Sequence, residues 1–335
     1  MTRGKGWRRR ERHYLLLNPI VKSLVAMALP YPDLKLLTVD RIWDHAPHNA
    51  FTDLIRFKGH WYCAFREGES HVSDDGCLRV IRSADGKEWE SVGHMEWDGG
   101  DVRDAKLSVT KEGLLMMNGA VRFLEVVNGI KHQSITWLSS DGLNWEGPFA
   151  EETGRGTWRW SVTWNSEAGY SFGYSGKDAA GCLYRTEDGK YWSVVENGVF
   201  PDEDGRSNES SIHFTEGEKA LVLLRRHGKA ARGEADAPYR DWTWQFLDQS
   251  LGGPKLVEIA GKHLFTVVRL HQPARRTACW IDREAGRIRE VLTLPSGGDS
   301  SYAGIVEASG VLYVSYYSSH EEKTAIYFAT LGIGG

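Results

Sequence analysis

Short stretches of alternating apolar and polar residues recur along the chain, in pairs joined by tight turns that are rich in glycine or polar residues. Alternation of this kind predicts a β-strand, and two such strands around a tight turn predict a β-hairpin. We predict six hairpins, with strands at residues 53–57 and 61–65, 106–109 and 114–118, 161–164 and 170–174, 210–214 and 220–224, 255–259 and 263–268, and 303–306 and 311–316.

The spacing of these hairpins indicates a repeat architecture. Their first strands begin at residues 53, 106, 161, 210, 255 and 303, so successive hairpins start 53, 55, 49, 45 and 48 residues apart. Roughly 50 residues is the length of one four-stranded blade of a β-propeller. The pattern therefore predicts an all-β fold, a six-bladed β-propeller.

A seven-residue motif, [ST]-x-D-G-x-x-W, follows three of the hairpins. Its copies are Ser83–Trp89, Ser139–Trp145 and Thr186–Trp192. In such a turn the aspartate accepts backbone N–H groups, the glycine takes a positive φ and the tryptophan packs beneath. We therefore expect Asp85, Asp141 and Asp188 to act in folding and not in catalysis.

Composition narrows the classes of function. The chain has 335 residues, 41% of them hydrophobic, and no internal linker, so we expect one domain with a sizeable core. A net charge of −4 provides no basic surface for nucleic acid, and no stretch is apolar enough for membrane insertion. The four cysteines are scattered, so we predict neither a metal nor another cofactor. The 14 tryptophans and 13 tyrosines suit the stacking of sugars, although most belong in the core, and carbohydrate is the predicted partner.

The N-terminal segment is predicted to be a separate leader, with residues 1–35 preceding a propeller at 36–335. Basic residues stand before an apolar stretch that ends in Ala26-Met27-Ala28, the small-x-small form of a signal-peptidase site. Pro19 and Lys22 interrupt that stretch, which argues against a signal peptide. Export and a cytoplasmic location therefore both stay open.

Propeller geometry limits where a ligand site can lie. Ligands of propellers bind over the central channel, so functional residues are expected just before the first strand of a blade or just after its second strand. Before first strands stand His48, Asn49, Asp53, Arg103, Asp104, Trp160, Glu209 and Tyr302. After second strands stand Arg66, Glu67, Glu69, Arg225, Arg226, Arg269 and His271, with Asp75 on the loop of the first blade. This concentration of charged groups is costly unless the charges are used, although a solvated rim is the competing interpretation.

The aspartate turns and three further segments resemble the sialidase superfamily, whose blades carry turns known as Asp-boxes or bacterial neuraminidase repeats. The segments are Asn208-Glu209-Ser210 with Arg225, Ser301–Val306, and Ala64–Gly68 with Asp74 and Asp75. Retaining sialidases use a tyrosine nucleophile activated by a glutamate, an aspartate acid/base on a loop of blade one, and three arginines that bind the substrate carboxylate. The resemblance implies Tyr302, Glu209 and Asp75 as the catalytic residues.

The blade positions and the resemblance together predict a set of substrate-binding residues. These are Arg66, Arg225, Arg269, His48, Asn49, Asp53, Arg103, Asp104 and His271, with Arg275 and Arg276 as less favoured substitutes for Arg269. One departure affects the substrate, because the first arginine of the family opens blade one and residues 48–53 contain none. Such an arginine contributes much of the recognition of a carboxylate. We therefore expect an exo-acting glycoside hydrolase that removes a terminal uronic or neutral sugar rather than sialic acid.

Three other hypotheses stay open. A glycosidase with three acids on successive blades would use Asp53, Asp104 and Glu209. A polysaccharide lyase that acts on a uronate-containing glycan would take its base from His48, His271 or Tyr302. A non-catalytic carbohydrate-binding propeller would need only the tryptophans.

Overall fold

The computed structural model of the chain describes residues 31–174, 180–201, 206–259, 263–271 and 274–334. Residues 1–30 of the predicted leader lie outside the described residues. The described residues form 25 β-strands in six antiparallel sheets, which confirms the predicted all-β fold. None of their helical segments is long and apolar enough to cross a membrane.

The first strand, β1 (Leu34–Trp43), joins the last sheet, and the other strands follow one another from the inner to the outer edge of each sheet. Blade 1 contains β2 (His48–Phe57), β3 (His60–Gly68), β4 (Cys77–Ser83) and β5 (Glu90–Met95). Blade 2 contains β6 (Gly100–Val109), β7 (Leu115–Val127), β8 (Ile130–Ser139) and β9 (Glu146–Phe149). After a 3-10 turn at Glu152–Gly154, blade 3 contains β10 (Trp158–Arg159), β11 (Thr163–Trp164), β12 (Gly169–Tyr174), β13 (Cys182–Thr186) and β14 (Trp192–Asn197).

The second half of the chain repeats this order. Blade 4 contains β15 (Ser207–Phe214), β16 (Ala220–Arg226), β17 (Ala231–Ala235) and β18 (Thr243–Phe246). Blade 5 contains β19 (Leu256–Ile259), β20 (His263–His271), β21 (Ala274–Asp282) and β22 (Arg287–Thr293). Blade 6 contains β23 (Ser300–Ala308), β24 (Val311–Ser318) and β25 (Ala325–Ile333), with β1 as its outer strand.

Contacts between neighbouring inner strands close the six blades into a ring. Strand β2 packs against β6 on one side and against β23 on the other. Strand β15 packs against β11 and β19, and β20 packs against β23. Each predicted hairpin forms inner strands of one blade, so the six-bladed β-propeller is confirmed.

Strand β1 joins the start of the described chain to its end. It pairs with β25 from the Leu34–Ile333 pair to the Trp43–Ile326 pair, and it begins two residues before the predicted start of the propeller. The sequence pattern does not predict this strand, because apolar and polar residues do not alternate regularly along it.

The three [ST]-x-D-G-x-x-W turns connect the third and fourth strands of blades 1, 2 and 3. In the blade 2 copy, Asp141 Oδ1 accepts the backbone N–H groups of Leu143 and Asn144, both at 2.8 Å. The turn glycines have φ values of 82°, 77° and 76°. Hydrogen bonds from Asn144 lower the pKa of Asp141 and keep its carboxylate ionised. The aspartates are thus occupied within the turns, on the face opposite the starts of the inner strands.

An ion pair crosses the central channel. Lys255, the residue just before β19, donates from its Nζ to both carboxylate oxygens of Asp53 in β2, at 2.9 and 3.2 Å. Asp53 is fully buried, and its Oδ2 also accepts the backbone N–H of Leu107 in β6 at 2.9 Å. One carboxylate therefore links blades 1, 2 and 5.

Replacing this carboxylate should weaken the ring. We expect Asp53→Ala to lower the free energy of unfolding by about 3–5 kcal/mol, because the Lys255 ammonium loses its counter-charge in a largely buried position. Urea unfolding measures the difference. The matched control is Asp74→Ala, whose surface pair with Arg122 is worth less than about 1 kcal/mol. Equal unfolding midpoints for Asp53→Ala and the parent protein would contradict this role.

Candidate active site

The inner strands of four blades share one irregularity at the predicted ligand face. In β2, β6, β15 and β23, two residues face a single residue of the neighbouring strand, which defines a β-bulge. In three of these bulges the first residue has a positive φ: 65° at Phe51, 58° at Asp104 and 48° at Tyr302. Such conformations are rare outside glycine and cluster at functional sites. The backbone conformation therefore indicates that this part of the molecule is a functional site.

Tyr302 of β23 and Glu209 of β15 form a hydrogen-bonded pair across the site. The Tyr302 hydroxyl donates to Glu209 Oε1 at 2.6 Å, and Arg225 donates to the same oxygen. The backbone N–H of Gly253 donates to Glu209 Oε2 at 2.9 Å. Although Tyr302 keeps some exposure, desolvation and the charge of Glu209 raise its pKa well above the ordinary value. The phenol is thus protonated at rest, and Glu209 is positioned to accept its proton.

Aromatic and cationic groups hold the Tyr302 ring. The ring centroids of Phe51 and Trp160 lie 5.3 and 5.5 Å from that of Tyr302, and Tyr317 is stacked at 6.2 Å. Lys106 Nζ lies 5.1 Å from the Tyr302 centroid, within the range of a cation–π interaction. Contacts on several sides fix the orientation of the ring, which a reacting group requires.

Asp104 is a buried carboxyl group on the inner strand of blade 2. It is buried, and its carboxylate makes no hydrogen bond within the described part of the chain. Burial raises its pKa and Glu209 adds to the effect, while Arg103 and Lys106 oppose it. The charge of Asp104 also raises the pKa of Tyr302. A carboxyl group with a raised pKa can serve as a proton donor.

Two histidines and an aspartate form a hydrogen-bonded cluster next to Phe51. Asp299 Oδ2 lies 2.9 Å from His48 Nε2 and 2.5 Å from His71 Nδ1, and the Tyr317 hydroxyl donates to Oδ1 at 3.0 Å. Burial opposes ionisation of Asp299, but these hydrogen bonds prevail and lower its pKa. The His71 ring lies 5.0 Å from Phe51, so the blade-one loop extends over the site. Sequence reasoning missed His71 and Asp299, although His71 lies on the loop that the resemblance had singled out.

The same cluster has donor atoms that a metal ion uses. One atom each from His48, His71 and Asp299 lies within 4.8 Å of the others. Binding through His48 Nε2 would leave a proton on Nδ1, which is buried and has no acceptor among the described residues. Metal-bound histidines normally donate that proton to a partner. The cluster therefore fits a hydrogen-bonded network better than a metal centre.

Cationic groups from blades 4 and 5 line the other side of Tyr302. Arg225 binds Glu209, and the charges of Arg225 and Arg269 both lower the pKa of His271, after the larger effect of its burial. Arg269 Nη1 donates to the Ser300 carbonyl at 3.5 Å, whereas its Nε has no partner within the described ranges. The two arginines thus bring positive charge to this part of the site, whereas the lowered pKa of His271 favours its neutral form.

Known proteins share this architecture. No family model and no curated protein matches the sequence, but solved structures do. A protein of unknown function from Dyadobacter fermentans has 19% identity and a TM-score of 0.78, over 90% of this chain and 100% of that one. An α-L-arabinanase of Penicillium chrysogenum, complexed with arabinobiose, has 14% identity and a TM-score of 0.67, over 88% and 98%. A sialidase of Trypanosoma rangeli has 13% identity and a TM-score of 0.66, over 90% of this chain and 60% of that one.

The chain has the sialidase-like propeller fold. Identities this low concern the fold alone, so the site must be judged on its own geometry. In this sialidase-like propeller, several of the predicted residues lie together. They are Tyr302, Glu209, Arg225, Arg269, His271, Asp104, Arg103 and His48.

Four other predicted residues have partners that occupy their polar atoms: Arg66, Asn49, Asp53 and Asp75. Arg66 is fully buried, donates to Asp101 at 2.7 Å and also holds the loop at residues 70–73. Asn49 donates to the carbonyls of Ala46 and Thr324. Asp53 belongs to the channel ion pair described above.

Asp75 is exposed, and it accepts the Glu69 N–H at 3.0 Å. Burial works against ionisation, but hydrogen bonds from Ser73 and Glu69 lower its pKa, which makes it a weak proton donor. The resemblance implied Asp75 as the acid from its place on the blade-one loop, and the sequence carries no information on these hydrogen bonds.

The raised pKa of Asp104 has a consequence for stability. The folded state holds this proton more tightly than the unfolded chain, so stability falls as pH rises above the ordinary aspartate range. We expect Asp104→Asn to be more stable than the parent at neutral and alkaline pH, with the difference vanishing toward about pH 4. Thermal unfolding across pH measures this, with the exposed Asp98→Asn as control. A parent protein that stays equally or more stable at high pH would contradict the assignment.

Proposed function

We propose that this protein is a glycoside hydrolase that removes a terminal sugar, with Tyr302 as nucleophile and Glu209 as its base. The hydrogen bond of 2.6 Å between the Tyr302 hydroxyl and Glu209 Oε1 carries the proposal. A weak nucleophile needs an adjacent base in hydrogen-bond contact, and that base needs to be oriented by further groups. Here Arg225 and the Gly253 N–H orient Glu209. The arabinanase, sialidase and α-L-arabinofuranosidase with the same fold support the reaction class.

The proposed chemistry proceeds in two steps. The Tyr302 oxygen forms a bond to the anomeric carbon while its proton passes to Glu209. The glycosidic C–O bond breaks, and Asp104 gives its proton to the departing oxygen. Water then attacks the anomeric carbon and loses a proton to Asp104, while the bond to Tyr302 breaks and Glu209 returns its proton to the phenolate. Both carboxyl groups end in their starting states.

The charges around the site favour a sugar acid as the substrate. The guanidinium groups of Arg225 and Arg269 supply positive charge for an acidic group, and Tyr302 carries no negative charge at rest that would repel it. Phe51 occupies the start of blade one, where sialidases have an arginine. A uronic acid, whose carboxylate is held by fewer cations, fits this arrangement better than sialic acid.

Removing either member of the pair should abolish turnover. We expect Tyr302→Phe and Glu209→Gln each to lower kcat by roughly 10³-fold or more on aryl glycosides, because the first lacks the nucleophile and the second lacks the base. Assays on neutral, uronic and sialic aryl glycosides measure this. Tyr191→Phe, a change in an exposed tyrosine on a distant turn, is the control and should keep full activity.

The same assays separate the alternatives. Full activity in Tyr302→Phe together with loss in Asp53→Asn would overturn the proposal in favour of a three-acid glycosidase. An unsaturated product that absorbs in the near ultraviolet would replace hydrolysis by a lyase reaction. Glycan binding without turnover on any member of the panel would leave a binding propeller.

Asp104 should determine the alkaline side of the pH profile. We expect a bell-shaped dependence of kcat/KM, because Glu209 must be ionised and Asp104 protonated. Since burial raises the pKa of Asp104, the alkaline limb lies above the ordinary carboxyl range. Asp104→Asn should remove that limb and lower kcat about 10²-fold, with a smaller loss on substrates that have a good leaving group. An unchanged alkaline limb in Asp104→Asn would exclude Asp104 as the acid, and Asp75→Asn would then be tested.

A further inference from the structure

Arg276 is a buried cation without a partner. It lies in β21 with 0% exposure, and its Nε, Nη1 and Nη2 atoms make no hydrogen bond within the described ranges of the chain. No carboxylate among those residues forms an ion pair with it. Burial lowers its pKa to about 9, so the group still carries its charge at neutral pH. An isolated charge in this position is strongly unfavourable unless something compensates it.

A second arginine increases the imbalance. Arg269 of β20 is the direct cross-strand partner of Arg276, so both side chains project from the same face of blade 5. Arg269 donates to the Ser300 carbonyl of blade 6. Tyr317 and Tyr316 of the same blade affect the pKa of Arg276. This face of blade 5 therefore points toward blade 6. Two like charges thus lie side by side between two sheets.

The groups around the pair are donors in need of an acceptor. Arg269 Nε and the Ser300 hydroxyl are buried and unpartnered among the described residues, as are the three nitrogens of Arg276. Ser300 is only 2% exposed, so the space between the blades is closed to solvent at this level. A ligand there must be negatively charged, must accept several hydrogen bonds and must be small enough to be enclosed.

We propose that Arg276 and Arg269 bind a halide ion of chloride size between blades 5 and 6, with the Ser300 hydroxyl as a further donor. The ion neutralises Arg276 and removes the repulsion between the two guanidinium groups. The site is independent of the proposed hydrolase activity, because it rests on the buried donors alone.

The first test is thermal unfolding of the full chain in sodium chloride, sodium bromide and sodium gluconate at equal ionic strength. A ligand that binds only the folded state raises Tm with its concentration. We expect Tm to rise by at least about 3 °C from low to saturating chloride or bromide, relative to gluconate. Equal Tm values in the three salts at every concentration would overturn the proposal.

A pair of variants locates the effect. Arg276→Met keeps the volume and removes the charge, so its Tm should no longer depend on halide, and in gluconate it should match or exceed the parent. Arg287→Met removes an exposed arginine of the same blade and should keep the full halide response. A normal halide response in Arg276→Met would overturn the proposal.

Crystals of the parent protein grown in bromide provide a test that does not depend on the folding of any variant. We expect an anomalous bromide peak between the guanidinium groups of Arg269 and Arg276. A peak-free map, with water or no density there, would overturn the proposal and leave the hydrolase assignment unaffected.

Discussion

Pairing of β1 with β25 is the constraint on which the rest of the molecule depends. The two strands come from opposite ends of the described chain, and their hydrogen bonds complete blade 6. A propeller blade cannot shift without moving both neighbours, so this pairing fixes where β23 lies relative to β2 and β15. The positions of Tyr302 and Glu209, which approach each other from blades 6 and 4, follow from that closure.

Strained bulges in the inner strands of this ring turn the candidate catalytic side chains toward the central channel. Phe51, Asp104 and Tyr302 each adopt a positive φ in a bulge of an otherwise regular strand. A regular strand would alternate its side chains between the two neighbouring blades, whereas a bulge turns one of them toward the channel. The packing of the six sheets compensates the cost of this conformation. The result is a phenol hydrogen-bonded to the carboxyl group of Glu209, with the buried Asp104, whose pKa is raised, on the inner strand of blade 2. The proposed hydrolysis requires that combination.

The sequence was sufficient for the fold and for part of the site. The hairpin spacing and the three aspartate turns predicted six blades, and the position of residues relative to those hairpins brought Tyr302, Glu209 and Arg225 into one group. Periodicity could not reveal which polar groups are already engaged. Arg66 lies near the end of β3 and Asp75 on the loop that follows it, yet hydrogen bonds with Asp101 and Glu69 occupy them. Asp104, Asp299 and His71 gain their character from burial and from partners far away in sequence, which no local pattern contains.

The most direct test of the account is the identity of the atom that forms a bond to the sugar. A fluorinated aryl glycoside of the preferred sugar slows the second step, and mass spectrometry of a protease digest then locates the trapped glycosyl group. We expect one added glycosyl unit on the peptide that contains Tyr302, and none in Tyr302→Phe. A glycosyl ester on Glu209, Asp104 or Asp53, or turnover with no covalent adduct at any time, would contradict it.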